Sequence, residues 1–373
     1  MRKFHAKTTL FYKLLISFRK LHLITQSLRT IPLQACRLRE RVIHFPHMTL
    51  VSHLSILPTL ADDLTLIESK LQVSVVAKDQ YLTEIAKHLI TAGGKRVRPG
   101  FAIAACGVEN PEAKSASEDV LMGGVAVELV HLGSLYHDDV MDEAQMRRTV
   151  PSVNALWGNH TAILAGDFLL ARASEIAASL GTEIASLLAR TIGELCEGQI
   201  LELQSTFNTK RTEESYEQSI SGKTASLLAT ACRIGGLVGG LERENVEHVT
   251  DFGHAYGMAF QIVDDILDIT ATDQQLGKPA GNDLIEGVYT LPVLYALETD
   301  LGTQLHNLLG KELSIAERDQ ARDLIRSTDA VERALTRARH WALQASNTLE
   351  SLPPSPATSA LYAATTHLLE QAK

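Results

Sequence analysis

The chain has 373 residues, of which 45% are apolar, 21% charged and 5% aromatic, and its formal net charge is −9. That length holds one large domain or two ordinary ones, and the Ala/Leu-rich composition excludes a disordered or collagen-like chain and favours helix. None of the four cysteines (Cys36, Cys106, Cys196, Cys232) forms a C-x-x-C pair, which argues against a disulfide framework or a zinc cluster and for free thiols.

In chain order, residues 1–47 come first, with ten Lys/Arg and a single acid, Glu40, so they carry about +9 against about −18 for the remainder. Three readings stay open for this leader: a transit peptide, a segment for an anionic membrane surface, or an upstream extension of the reading frame with Met48 as the start. The last is favoured, so the expected core is 48–373 and the expected location is the cytoplasm. From Leu64 onward Ile67, Leu71 and Val75 recur at helical spacing. "TAGGKRVRPG" (91–100) is a Gly/Pro break. Residues 119–137 are apolar all round, as in a buried central helix. Further helices fit 161–180, 183–206, 213–232 and 246–269. Segments 276–292 and 351–359 are dense in Gly and Pro and read as loops. No proline lies between Pro151 and Pro279, as stacked helices require. No 18-residue apolar run without charge points to a membrane span. No repeat and no sustained strand alternation appears, so the expected fold is one all-α bundle.

Two stretches carry the chemistry. "LYHDDVMDE" holds Asp138, Asp139 and Asp142, and "FQIVDDILDI" holds Asp264, Asp265 and Asp268. On a helix, positions i and i+4 share a face, so each pair of like charges repels, and burial raises that cost. A divalent cation offsets it: Mg²⁺ takes one or two carboxylates and completes its shell with substrate phosphates. The bland alternative is a solvated acidic face. Asp62-Asp63, a doublet without a third Asp, is read as such a surface pair at a helix start. Basic residues suited to phosphate accompany both triplets. They are Lys95, Arg96 and Arg98 in "GGKRVRP", Arg147 and Arg148, Lys223-Thr224 in "SGKTASL", and Lys278. "SGKTA" is not a nucleotide loop, because the required Gly five positions before Gly222 is Glu217.

These segments, with "ELVHLGSLYHDDVMDEAQMRR", "AILAGDFLLARA", "FGHAYGMAFQIVDDILD" and "GKPAGNDLIEGVYTLPVL", resemble the trans-isoprenyl diphosphate synthases of the polyprenyl synthetase family. The resemblance implies an all-α isoprenoid synthase fold with a deep cavity, a homodimer, and head-to-tail addition of isopentenyl diphosphate to an allylic diphosphate. It implies a first Mg²⁺ site at Asp138, Asp139 and Asp142 and a second at Asp264, Asp265 and Asp268, with about three ions once substrate is bound. It places isopentenyl diphosphate on Lys95, Arg98, His131 and Arg148. It places the allylic diphosphate on Arg147, Lys223, Thr224, Gln261 and Lys278. Lys223 is counted with Asp138, Asp139, Asp142 and Asp264 as catalytic. A lone His on an apolar helix is otherwise a core residue, and that alternative stays open for His131. No nucleic-acid partner is expected, and membrane contact would come through the product or the leader.

Product length is read from the helix before the first triplet. Gly133, Val130 and Ala126 share a face, and Ala126 lies about 18 Å from Asp138 at 1.5 Å per residue. Short-chain members carry an aromatic where this chain has Gly133 and Ser134, so the expectation is an open groove and a product of roughly C30 to C50, suited by analogy to a quinone side chain. Close helix packing is the alternative for Gly133. Competing functions are a farnesyl or geranylgeranyl diphosphate synthase, one subunit of a two-component synthase, and a peripheral membrane protein; the last explains neither triplet.

Overall fold

Helical periodicity through most of the chain yields helices, and they arrange around two long ones. A computed structural model describes residues 54–112, 114–273 and 280–371. All described elements lie in the compact unit His47–Lys373. The described residues open with a 3₁₀ turn (Leu54–Ile56) and then α1 (Leu60–Ser74), whose Ile67 and Leu71 are fully buried. Helices α2 (Gln80–Thr91) and α3 (Val97–Cys106) follow.

Helix α4 (Glu118–Met141) is the first of the two long helices. The Ser117 hydroxyl accepts from the Val120 N–H at 3.4 Å, and Glu118 and Asp119 sit in the first turn, where the helix dipole favours negative charge. By length and composition α4 could cross a membrane. Here it is instead the central helix, packed by α1, α3, α6 (Asn159–Leu180) and α9 (Ser226–Gly239). The second long helix, α10 (Arg243–Thr270), packs against α9 as well. Helix α9 is therefore a wall shared by both.

Between α4 and α6 lie a two-residue hairpin, β1 (Met146–Arg147) against β2 (Val150–Pro151), and a short α5 (Val153–Trp157). Helices α7 (Thr182–Gln204) and α8 (Glu213–Ile220) lead into a single π turn, Ser221–Ala225, before α9. After α10 come α11 (Asn282–Glu286), α12 (Leu291–Leu297), α13 (Gly302–Leu308), α14 (Ile315–Arg326), α15 (Ala330–Leu349) and α16 (Pro356–Glu370). Of these, α12, α14, α15 and α16 pack on α10.

Four readings of the sequence change. The helix expected over 213–232 is interrupted by the π turn. The loop expected over 276–292 contains α11 and the start of α12. Asp63 is not on the surface: it is fully buried in the first turn of α1, accepts from the Ala116 N–H at 3.2 Å, and burial pushes its carboxyl up. Asp62 beside it is exposed, as expected.

Gly133 is the fourth. Its missing side chain does not leave an open groove. A Cβ there would stand 3.1 Å from the Gly166 carbonyl oxygen and 3.1 Å from Leu170 Cγ, both on α6. Gly133 is thus a helix-crossing glycine, where the two backbones approach closely. Ala126 and Val130 are also fully buried, while Ser134 is half-buried with its hydroxyl donated to the His131 carbonyl at 2.8 Å. Gly133→Phe should therefore destabilise the protein by roughly 1–3 kcal/mol through overpacking. A thermal melt checks it, and an unchanged Tm would return Gly133 to the open groove.

Candidate active site

Both acidic triplets fall at helix C-termini. Asp138 and Asp139 close α4, with Asp142 as its C-cap, and Asp264, Asp265 and Asp268 lie in the final turns of α10. The dipole of each helix is negative there, so six carboxylates add to two negative poles. The α10 end is buttressed by Arg322 of α14, which donates to the carbonyls of Ile269 at 3.1 Å and Ala271 at 2.6 Å. That satisfies acceptors the helix leaves open.

The aspartates differ in setting. Asp138 is half-buried, and Asp142 and Asp264 are exposed. Asp139 is fully buried and turned onto Arg147, whose Nε donates at 2.6 Å, while its second oxygen has no hydrogen-bond partner among the described residues. Asp265 is buried with both oxygens occupied, by the Tyr216 hydroxyl at 2.5 Å and the Gln261 amide at 2.8 Å. Burial pushes Asp138 up to about 6, partly countered by Lys223, and pushes Asp139 and Asp142 up as well. Burial takes Asp265 up to about 7 despite its two donors. Burial thus opposes the charge of all four carboxylates, and Arg147 pairs directly only with Asp139 among them.

An ion pair stands between the triplets. Lys223, on the π turn, donates to Glu202 at the end of α7 at 2.5 Å. Burial opposes the Lys223 charge, but Glu202, Asp138 and Asp142 hold its pKa above the ordinary value. Glu202 in turn acts on Asp138, Asp142 and Asp265. The two triplets therefore meet at this pair. Next to it, the Thr224 hydroxyl donates to Gln261 at 2.7 Å, so Thr224, Gln261 and Asp265 form one chain. At the π turn, α7 and the turn cross at glycines: a Cβ on Gly198 would stand 2.5 Å from the Lys223 backbone nitrogen. Single π turns are common at functional sites.

A second cluster forms around "GGKRVRP". Arg96 is buried, pairing with Glu68 and Glu128 at 2.8 Å each, and so is structural. Arg98 and Arg148 stand beside it: Arg98 Nε is buried with no partner among the described residues, and burial brings Arg98 down to about 10. His131 faces this group. Burial, then Arg98, Arg148, Arg96 and Arg147, hold its pKa well below 6.5, so the imidazole is neutral at pH 7. Lys95 is exposed. Lys278 lies outside the described residues.

The hairpin separates the two clusters. Arg148 and Thr149 both have left-handed backbone, φ 52° and 66°, as a two-residue type I′ turn requires. Consecutive arginines thereby diverge. Arg147 goes to Asp139, and Arg148 donates to the Leu89 and Gly93 carbonyls and lies 3.9 Å from Glu128. Arg96, at φ 45°, is a further left-handed residue in the basic loops. Such strain gathers where function demands an orientation.

Sequence reasoning missed Glu202, Tyr216 and Arg211, which lie behind the recognised motifs. Only Gly198, four residues before Glu202, hinted that α7 approaches this turn. Among the described residues no three acidic, His or Cys side chains converge into a complete metal-ligand group. The donors fit a divalent cation that shares its shell with phosphate oxygens.

An all-helical bundle with facing acidic helix ends and two basic clusters defines an enzyme class acting on diphosphates with a divalent cation. Residues 79–325 match the polyprenyl synthetase family. The chain is 40% identical over 303 residues to the heptaprenyl diphosphate synthase component 2 of Geobacillus stearothermophilus, covering 81% of this chain and 93% of that one. It is 40% identical over 300 residues to the nonaprenyl diphosphate synthase of Mycobacterium tuberculosis, covering 80% and 89%. Its fold superposes with TM-score 0.79 on the crystal structure of a polyprenyl synthase from Caulobacter crescentus complexed with calcium and isoprenyl diphosphate, at 30% identity, covering 86% and 97%. Synthases of geranylgeranyl diphosphate match as well. The chain belongs to the polyprenyl synthetase family and is a prenyltransferase.

The raised Asp138 pKa has a sign that can be tested. Its folded value exceeds the unfolded one, so its ionisation costs stability as pH rises from about 4 through about 6. Without divalent cation, Asp138→Asn should melt a few degrees higher than wild type at pH 7.5. The gain should vanish near pH 4. A variant that melts lower at pH 7.5 would contradict the cost.

Proposed function

We propose that the protein condenses isopentenyl diphosphate head-to-tail onto an allylic diphosphate and releases a long all-trans polyprenyl diphosphate, roughly C30 to C50. The observation that carries this reading is the Lys223–Glu202 pair between the two acidic helix ends, with a separate basic cluster at Arg98, His131 and Arg148. One site holds a leaving group and the other a nucleophile. The long product rests on the heptaprenyl and nonaprenyl relatives.

Asp138, Asp142, Asp264 and Asp268 are the residues that would hold the ions, with Asp139 and Asp265 behind them. We assign Mg²⁺, about three ions with substrate bound, which supplies charge stabilisation at the departing diphosphate. Arg147, Lys223 and Thr224 bind that diphosphate, joined by Lys278. Their preorganised charge favours cleavage of the allylic C–O bond, because negative charge grows where they already stand. Arg98, Arg148 and Lys95 hold isopentenyl diphosphate, and neutral His131 donates a hydrogen bond without adding positive charge beside the allylic cation. The double bond then attacks that cation, a C–C bond forms, and a proton passes to the departed diphosphate. Apolar walls exclude water from the cation. Ala126, Val130 and Ser134 remain the proposed chain-length positions.

A second copy of the chain is the proposed partner. Ile163 and Leu164 on α6 and Ile200 and Leu203 on α7 are large, apolar and exposed, the kind of surface that association covers. Leu164→Glu should leave a monomer by light scattering, and a persistent dimer would remove this face. The location is proposed to be cytoplasmic, with membrane contact through the apolar product.

Residues 48–373 with labelled isopentenyl diphosphate, farnesyl diphosphate and Mg²⁺ should give a ladder ending at or beyond C30. A ladder ending at C15 to C20 would replace the long-chain reading with the short-chain one. No incorporation by a folded protein would point to a second subunit of the kind the Geobacillus name implies. Asp138→Ala and Asp264→Ala should each lose on the order of 10³-fold in kcat with unchanged helix content; full activity in either would sink the ion assignment.

A further inference from the structure

Arg211 is 7% exposed, a buried cation outside every motif used so far. Of its three guanidinium nitrogens, Nη1 donates to the Tyr289 carbonyl at 3.1 Å, while Nε and Nη2 have no hydrogen-bond partner among the described residues. A buried guanidinium left so incompletely satisfied is expensive. Its surroundings show what offsets the cost. Its charge centre lies 5.4 Å from the centroid of the Tyr216 ring, and Glu202 and Asp265 are the acidic groups acting on it. Burial lowers its pKa, and these neighbours partly counter that shift.

The Tyr216 hydroxyl, the next link, donates to Asp265 at 2.5 Å. Asp265 accepts from Gln261, and Gln261 accepts from Thr224 on the π turn. A continuous path therefore runs from Arg211 through Tyr216, Asp265 and Gln261 to the residue beside Lys223. Arg211 is fixed in its turn. Its loop is tied to the segment after α11 twice, by Arg211 to Tyr289 and by the Phe207 N–H to the Gly287 carbonyl at 2.8 Å, with Phe207 held at φ 59°. The Tyr289 hydroxyl accepts from the Gly310 N–H at 2.6 Å, so the far end is anchored too.

We infer that Arg211 and Tyr216 are positioning residues that fix Asp265 as a bracket between the second acidic motif and the Thr224–Lys223 clamp, and so set affinity for the allylic diphosphate specifically. In this inference Arg211 and Tyr216 act through Asp265, Gln261 and Thr224. Both oxygens of Asp265 are committed to this bracket, so its work is to hold Gln261 and Thr224. Nothing in the path leads to Arg98, Arg148 or His131. The inference rests on the proposed function for the identity of the allylic ligand.

The test uses Tyr216→Phe, Arg211→Met and Arg211→Lys. Tyr216→Phe and Arg211→Met should raise KM for farnesyl diphosphate about tenfold or more, the scale seen when groups that orient a site are removed. KM for isopentenyl diphosphate should stay within twofold, and Arg211→Lys should recover most of the loss. Parallel increases in both KM values, or no increase, would overturn the inference. A readout independent of turnover is the thermal shift produced by Mg²⁺ with inorganic diphosphate. It should shrink in Tyr216→Phe relative to wild type, and an equal shift would overturn the inference even if no condensation were found. Wild type binding diphosphate without condensing would defeat the proposed function alone. Should Arg211→Met fail to fold, Tyr216→Phe, which removes one oxygen, still decides.

Discussion

The arrangement turns on negative charge gathered where it is least welcome. Six aspartates stand at the C-terminal ends of two long helices, against negative dipole ends and partly out of water. Local propensity, pairing and burial all oppose this placement, and the raised pKa values of Asp138 and Asp265 are its signature. A chain that specifies so costly a site elsewhere follows ordinary packing rules: α4 is packed by α1, α3, α5, α6 and α9, and α10 is covered by α9, α12, α14, α15 and α16. The conflict is confined to one end of the bundle, as expected of a functional site.

The surrounding residues limit the conflict without abolishing it. Arg147 balances Asp139, Lys223 stands between the triplets, Arg322 closes the end of α10, and Arg211 stands behind Asp265. Each is held by something rigid: a type I′ turn, a π turn, a helix face, a strained loop. Preorganisation of this kind lets charge be met at the moment it develops instead of being gathered from solvent. The opposite basic cluster follows the same rule: Arg96 is spent on Glu68 and Glu128, Arg148 is fixed on the Leu89 and Gly93 carbonyls, and Arg98 Nε has no partner among the described residues.

Much of this was legible in the sequence because it depends on short-range spacing. The i, i+4 aspartates, the all-apolar 119–137 helix and the clustered basic residues are local patterns, and the bundle and the paired acidic motifs follow from them. What depends on long-range contact was not legible. Asp63 read as surface because nothing nearby in sequence foretells that the Ala116 N–H meets it. Gly133 read as open space because the helix that fills it lies about thirty residues on. Glu202, Tyr216 and Arg211 carry no local mark, since their roles come from partners tens of residues away. The π turn was hidden because its sequence is helical and its close crossing with α7 at Gly198 and Gly222 is a long-range contact.

The most direct test of the central claim, that the acidic helix ends hold a divalent cation jointly with a diphosphate, is calorimetric titration of the metal-free protein with Mg²⁺, with and without inorganic diphosphate. Since no ligand group is complete on its own among the described residues, Mg²⁺ alone should bind weakly, and diphosphate should tighten it by at least about tenfold through the reciprocal coupling of two ligands sharing one site. Equal Mg²⁺ affinity in the two titrations would contradict the account.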